Sequence, residues 1–110
     1  MEAALVSPEM YLDFIKSKPV AVIHFWASWN RSDDEMKARL KQIGASFSDQ
    51  VAMGSVDTDQ EEMWDLVKKL KVLNLPALVY YKNGEHIETT IGLSTKEQIE
   101  TNLKNLLKTA

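Results

Sequence analysis

Cysteine is absent from this chain of 110 residues. Its absence excludes disulfide bonds, thiolate metal sites, iron–sulfur ligation by the chain itself and a cysteine nucleophile. The sequence also lacks internal repeats, low-complexity segments and linkers. A composition with 45% hydrophobic and 26% charged residues is that of a soluble globular protein. We therefore expect one domain that spans residues 1–110 and buries a core without covalent or metal cross-links.

The sequence also has little excess of charge of either sign, because its 16 acidic and 13 basic residues leave a formal net charge of only −3. Such a balance provides no electrostatic footprint for nucleic acid or for an anionic membrane. No apolar run approaches the roughly 20 residues that a bilayer span needs, and no basic-then-apolar leader precedes residue 7. We expect a cytoplasmic protein that binds neither nucleic acid nor membrane.

Short β-rich runs alternate with segments of helical period, and this order of β α β α β α β β α indicates an α/β fold. The run 20–26 is almost continuously apolar and β-branched, as is typical of a central strand covered on both faces. An Asn83-Gly84 pair between two β-rich runs predicts a hairpin. The remaining predicted strands lie at residues 5–6, 51–56, 77–81 and 86–91. Four helices are predicted. The first has Ser7 as N-cap and Pro8 at its first position and ends near Lys16. The second and third carry the apolar stripes at 36–47 and 63–70, and the fourth runs from Thr95 to 107.

Two four-residue segments match the capping-box pattern, Ser32 with Glu35 and Thr95 with Gln98. Asp33 and Asp34 fill the first turn after Ser32, where the helix dipole stabilises carboxylates. We expect a solvated helix start there. We also expect Ser32→Ala to lower the free energy of unfolding by about 0.5 to 2 kcal/mol.

The segment 25–29, FWASW, at the end of the central strand resembles the thioredoxin family. Leu75 and Pro76 before a strand look like the family's cis-proline segment, residues 81–85 resemble its hairpin turn, and Gly92 falls where the family has a glycine. The resemblance implies a thioredoxin fold, a central mixed sheet with helices on both faces, in which Pro76 is cis.

The sequence departs from the family at the redox motif, which here reads Trp29, Asn30, Arg31, Ser32 and Asp33. Asn30 and Asp33 stand where the family has its two cysteines. Thiol–disulfide exchange needs one thiolate to attack and a second thiol to resolve, and neither an amide nor a carboxylate does either. We therefore predict a redox-inactive protein that is not an enzyme and has no catalytic residues.

The family's buried acid aligns with His24, and the lysine near that acid aligns with Met53. We expect His24 to be a core histidine with a local hydrogen-bond partner, rather than a metal ligand or a pH switch. Asp33, Asp34 and Glu35 are adjacent on a helix, so their side chains point away from each other and do not form a chelating face. Asp57 and Asp59 are typical of a turn. The sequence predicts neither a metal nor a cofactor. A non-redox enzyme using His24 or the Asp33 region is a third, weaker possibility.

The resemblance also implies a groove that holds an extended protein or peptide partner. Its expected binding residues are Trp29, Leu75, Pro76, Ile91, Gly92 and Leu93. An apolar groove needs no thiol, since main-chain hydrogen bonds and an aromatic anchor suffice. The alternative is a structural domain that forms a homodimer or docks on a companion domain through the same residues. The segment 24–29 also resembles the N-terminal thioredoxin-like domains of multidomain monothiol glutaredoxins.

Overall fold

The computed structural model describes residues 3–108 and confirms the expected order of elements. The strands are Ala4–Leu5 (β1), Val20–Trp26 (β2), Val51–Asp57 (β3), Ala77–Lys82 (β4) and Glu85–Ile91 (β5). The α-helices are Tyr11–Lys16 (α1), Ser32–Phe47 (α2), Trp64–Lys69 (α3) and Lys96–Lys108 (α4). Short 3₁₀ turns at Pro8–Met10 and Glu61–Met63 precede α1 and α3. No helix within residues 3–108 has the length and apolar character needed to cross a bilayer.

The five strands form one mixed sheet in the order β1-β3-β2-β4-β5. β3 pairs in parallel with both β1 and β2, whereas β4 pairs antiparallel with β2 and β5. β2 lies at the centre, and its residues from Val20 to Phe25 are all buried. This burial explains the continuous apolar run, because both faces of the strand are covered by helices.

Alternate residues of β2 point into two separate cores, one on each face of the sheet. One core contains Ile23 and Phe25 with residues of α1 and α3, and the other contains Val22 with residues of α2 and α4. His24 is on the second face, which α2 covers, and is buried there with 2% of its surface exposed. The alternation of β2 thus places a histidine directly beneath the start of α2.

Two of the expected local signals are present in the structure. Asn83 and Gly84 both have positive φ, 51° and 83°, as a two-residue hairpin turn requires. At the start of α4, Thr95 Oγ1 accepts the Gln98 N–H at 3.1 Å, and Gln98 Oε1 accepts the Thr95 N–H at 2.8 Å. The hairpin and this capping box are confirmed.

Ser7 stands at the N-cap position of the first 3₁₀ turn, as expected, but its side chain does not cap that turn. Ser7 makes no side-chain cap hydrogen bond, and its backbone carbonyl accepts the Met10 N–H at 3.1 Å instead. The 3₁₀ turn itself therefore satisfies a donor that a capping hydroxyl would otherwise take. Pro8 does occupy the first position of that turn, as predicted.

Candidate functional site

The site that corresponds to the redox motif lies in the loop between β2 and α2. Asn30 occupies this loop, and its amide group makes two hydrogen bonds: Oδ1 accepts the Ser32 N–H at 3.0 Å, and Nδ2 donates to the Leu75 carbonyl at 3.0 Å. Asn30 therefore satisfies one free donor at the helix start and joins the loop to the segment before Pro76.

The capping box predicted at Ser32 is wrong. Helix α2 begins at Ser32 itself, the preceding Arg31 has helical backbone angles, and no side chain of either residue caps the helix. Glu35, the other half of the predicted box, forms an ion pair with Arg39 at 3.1 Å. Because helical geometry already extends to Arg31, Ser32 lies inside the helix and its hydroxyl is not at the capping position.

Asp33 is buried, with 4% of its surface exposed, so the expectation of a solvated helix start is wrong for this residue. Its Oδ1 accepts a hydrogen bond from His24 Nε2 at 3.2 Å, and its Oδ2 accepts the Ala27 N–H at 3.0 Å. Asp34, the next residue, remains exposed. The physical reason is the direction of the first turn of α2, which points Asp33 at the sheet and Asp34 at solvent.

His24 has the local hydrogen-bond partner that was predicted, and this partner is Asp33. The burial of the two side chains and the charges near them determine the protonation state of His24. Burial lowers the pKa of His24 below its usual 6.5, the hydrogen bond and charge of Asp33 oppose that change, and the charge of Lys37 lowers it further. The imidazole is therefore neutral at pH 7 and donates its Nε2 proton to Asp33. A buried neutral histidine bound to a buried carboxylate now occupies the two positions that align with the family's buried acid and second cysteine.

Trp29 projects from the same loop, with 68% of its surface exposed. Its indole Nε1 donates to Asp59 Oδ1 at 3.2 Å, and the Asp59 N–H donates to Asp57 Oδ1 at 2.9 Å. The predicted turn chemistry of the two aspartates is confirmed. The turn after β3 thus holds the indole in place while its apolar ring faces solvent.

The Leu75–Pro76 peptide bond is cis and lies next to the end of β5. Ile91 is the register partner of Ala77, and the Gly92 N–H donates to the Pro76 carbonyl at 2.8 Å. Ile91 and Leu93 are 45% and 41% exposed. We call the set of expected binding residues the rim, which consists of Trp29, Leu75, Pro76, Ile91, Gly92 and Leu93.

The main-chain groups of Leu75 already have partners. Its carbonyl accepts from Asn30 Nδ2, and its N–H donates to Asn74 Oδ1 at 2.9 Å. Leu75 packs its side chain against the core on the α1 and α3 face of the sheet. Within the rim, Leu75 is therefore more a support than an exposed contact, and Pro76 is itself buried.

Arg39 also belongs to this region, although no motif in the sequence points to it. Its Nη1 donates to the Ser94 carbonyl at 2.7 Å while its Nη2 contacts Glu35. The spacing of Glu35 and Arg39, four residues apart on a helix, indicates the ion pair. Only the packing of α2 beside the loop after β5 accounts for the bond to Ser94.

Within residues 3–108, no group of three or more histidine, aspartate or glutamate side chains is arranged to hold a metal ion. The polar residues of the loop are instead bonded to each other and to the backbone, as Asn30, Asp33 and Asp59 show. The site therefore consists of the rim and, beneath the start of α2, the buried pair of His24 and Asp33.

The sheet order, the cis-proline segment and the loop after β2 define the class of a thioredoxin-fold protein. The family model for thioredoxin matches residues 2–105, and the chain belongs to the thioredoxin family. It is 26% identical over 91 residues to the thioredoxin of Alicyclobacillus acidocaldarius, covering 83% of this chain and 84% of that protein. It is 27% identical over 100 residues to the mitochondrial thioredoxin of Bos taurus, covering 91% of this chain and 59% of that protein.

Solved structures agree with this assignment. Mitochondrial thioredoxin 3 of Saccharomyces cerevisiae superposes with a TM-score of 0.80 at 25% identity, covering 94% of each chain. A single-residue mutant of the thioredoxin of Halobacterium salinarum gives 0.87 at 19% identity, covering 99% of this chain and 94% of that one. The second likeness concerns the fold alone. Since this chain has no cysteine, its own side chains supply neither thiol for disulfide exchange.

Proposed function

We propose that this chain is a redox-inactive, cytoplasmic protein-binding or scaffold module that recognises an extended segment of a partner protein through the rim. The observation that carries the proposal is the exposure of Trp29, Ile91 and Leu93 beside the cis Pro76, in a chain without cysteine. Apolar contact at such a surface requires no thiol, so loss of the chemistry is compatible with binding.

Side-chain contact is the form of binding that the geometry favours. Adding a peptide strand would require free main-chain groups at the edge of the groove. Both groups of Leu75 are already bonded, to Asn30 and to Asn74. A partner would therefore gain most from covering the Trp29 ring and the side chains of Ile91 and Leu93, because tryptophan is a frequent interface anchor.

The test is quantitative affinity capture from cytosolic extract with the wild-type chain and a Trp29→Ala, Ile91→Asp double variant. Ile91 is chosen over Leu75 because Leu75 packs against the core and its substitution would endanger folding. We expect the variant to lose the captured proteins at least tenfold, and we expect reducing agent to change nothing.

A matched control carries the same two kinds of substitution outside the rim, Trp64→Ala with Leu12→Asp, at side chains that are 53% and 67% exposed. The control should capture the same proteins as the wild type. Equal capture by the rim variant would refute the proposal. Concentration-dependent size in solution that the rim variant abolishes would assign the rim to a homodimer instead.

A further inference from the structure

A cavity of about 220 Å³ lies under the start of α2, between that helix and strands β2 and β3, and it opens to solvent beside the exposed Asp34 and Lys37. Its polar lining includes His24, Ser55 and Lys37, and its apolar lining includes Trp26 and Leu40. His24 and Ser55 are register partners on adjacent strands, so their side chains lie on the same face of the sheet. The cavity is separate from the rim and plays no part in the proposed function.

One ring nitrogen of His24 is left for a ligand. Nε2 donates to Asp33, which makes Nδ1 of the neutral ring an acceptor. Among residues 3–108, no side chain or backbone group donates to Nδ1. Since His24 is 2% exposed and lines the cavity, this acceptor belongs to a buried side chain that borders a space large enough for a small molecule.

The size and walls of the cavity suit a small molecule with one ring. An apolar cavity of roughly 150 Å³ is enough to hold benzene, and this cavity is larger, about 220 Å³. Trp26 and Leu40 provide apolar surface for a flat ring. Hydrogen bonding at Nδ1 requires in addition that the ligand carry a donor.

Charge narrows the class further. The lining carries both signs of charge, the ammonium group of Lys37 and the carboxylates of Asp33 and Asp34, so an organic cation and an organic anion each meet a like charge as well as an opposite one. A carboxylate ligand has, moreover, no proton to donate to Nδ1. A neutral hydroxyl group satisfies all of these conditions.

We propose that this cavity is a binding site for a small neutral aromatic alcohol of the phenol class. The hydroxyl group of the ligand donates to Nδ1 of His24, and its ring packs against Trp26 and Leu40. The Asp33 carboxylate acts as a positioning group, because it fixes the tautomer that leaves Nδ1 as the acceptor.

The probe is phenol itself, titrated into the full chain while the imidazole nitrogen signals are followed by NMR. The chain has two histidines, so the signals of His24 and His86 are readily separated. We expect a saturable shift of the His24 signals with phenol at about 1 mM or below. Toluene has the same shape but no hydroxyl group, and we expect it to bind at least tenfold more weakly.

Two variants locate the site. His24→Phe removes the acceptor and should abolish the preference for phenol over toluene, measured by the change in tryptophan fluorescence. His86→Phe makes the same substitution at the exposed histidine and should leave that preference intact. If His24→Phe does not fold, Ser55→Leu serves instead, since it fills the cavity from β3 and should reduce phenol binding at least tenfold.

Three results would overturn the proposal. The first is a phenol titration without saturation, and the second is equal binding of phenol and toluene. The third is an unchanged preference in folded His24→Phe; where that variant does not fold, unchanged phenol binding in folded Ser55→Leu takes its place. None of these results concerns the rim. The proposed function is tested by the capture experiment and the cavity site by the phenol titration, so either can fail without the other.

Discussion

Helices α2 and α4 begin with the same capping-box pattern, yet only α4 uses it. At α4, Thr95 and Gln98 exchange two hydrogen bonds. At α2, Asn30 caps Ser32 from outside the helix, and the Asp33 side chain turns inward to His24 and the Ala27 N–H. The box thus forms at α4, whereas at α2 the helical backbone already extends to Arg31 and Ser32 is no longer at the capping position.

The largest effect that separates the two helix starts is expected at Asp33. Asp33→Ala removes two hydrogen bonds to a buried carboxylate, each worth about 1.5–3 kcal/mol. We expect the free energy of unfolding to fall by about 3 kcal/mol in urea denaturation. Asp34→Ala, at the exposed neighbour, should change it by less than about 0.5 kcal/mol. Equal effects of the two substitutions would mean that the buried pair contributes nothing specific to α2.

The second effect is a pH dependence that belongs to the α2 start. The folded pKa of His24 lies below 6.5, chiefly through burial, so the folded protein does not bind the proton that the unfolded chain takes up below that pH. Stability should therefore decline as the pH falls below about 6.5, by up to about 1.4 kcal/mol per pH unit, until the folded pKa is reached.

The measurement is the free energy of unfolding from urea denaturation at about pH 7.5 and at about pH 5.5. The difference between the two values reports the proton that His24 takes up on unfolding. His24→Phe should reduce the difference between the two stabilities, and His86→Phe should leave it unchanged. A wild-type stability that is constant over this range would contradict the lowered pKa.

The third effect is at α4, where the box is formed. Thr95→Ala removes the acceptor of the Gln98 N–H and should lower the free energy of unfolding by about 1 kcal/mol. Thr101→Ala, an exposed substitution in the interior of the same helix, is the control and should have no such cost. A stable Thr95→Ala variant would show that even this box contributes little.

The smallest effect is expected at Ser32. Because its side chain makes no cap hydrogen bond, Ser32→Ala should change stability by less than about 0.5 kcal/mol, in place of the larger loss that the sequence pattern predicts. Asn30→Ala removes two hydrogen bonds and should cost about 1 kcal/mol or more. A larger loss in Ser32→Ala than in Asn30→Ala would reverse our assignment of the cap.

Most of the fold could be predicted because its signals are local. The apolar run of β2, the Asn83-Gly84 turn and the Thr95 cap each depend on a few neighbouring residues. The inward direction of Asp33 could not be predicted from its neighbours, since Asp34 is chemically the same and only the placement of α2 over β2 distinguishes them.

A signal for the buried pair was nevertheless present in the family resemblance. The position of the family's buried acid aligns with His24, and the position of its second cysteine aligns with Asp33. Taken together, the two alignments bring a histidine and a carboxylate to adjacent places. The bonds of Asn30 and Arg39 to Leu75 and Ser94 had no such signal, because both cross between segments that are distant along the chain.

The three side-chain bonds around the rim have a consequence for the entropy of binding. Trp29 is held by Asp59, Asn30 by the Leu75 carbonyl, and Arg39 by the Ser94 carbonyl. Ordering loops and side chains during association normally costs free energy, and here the fold has already met much of that cost. A partner that binds the rim would therefore meet side chains that already have hydrogen-bond partners, and more of the ordering penalty would fall on the partner's own segment.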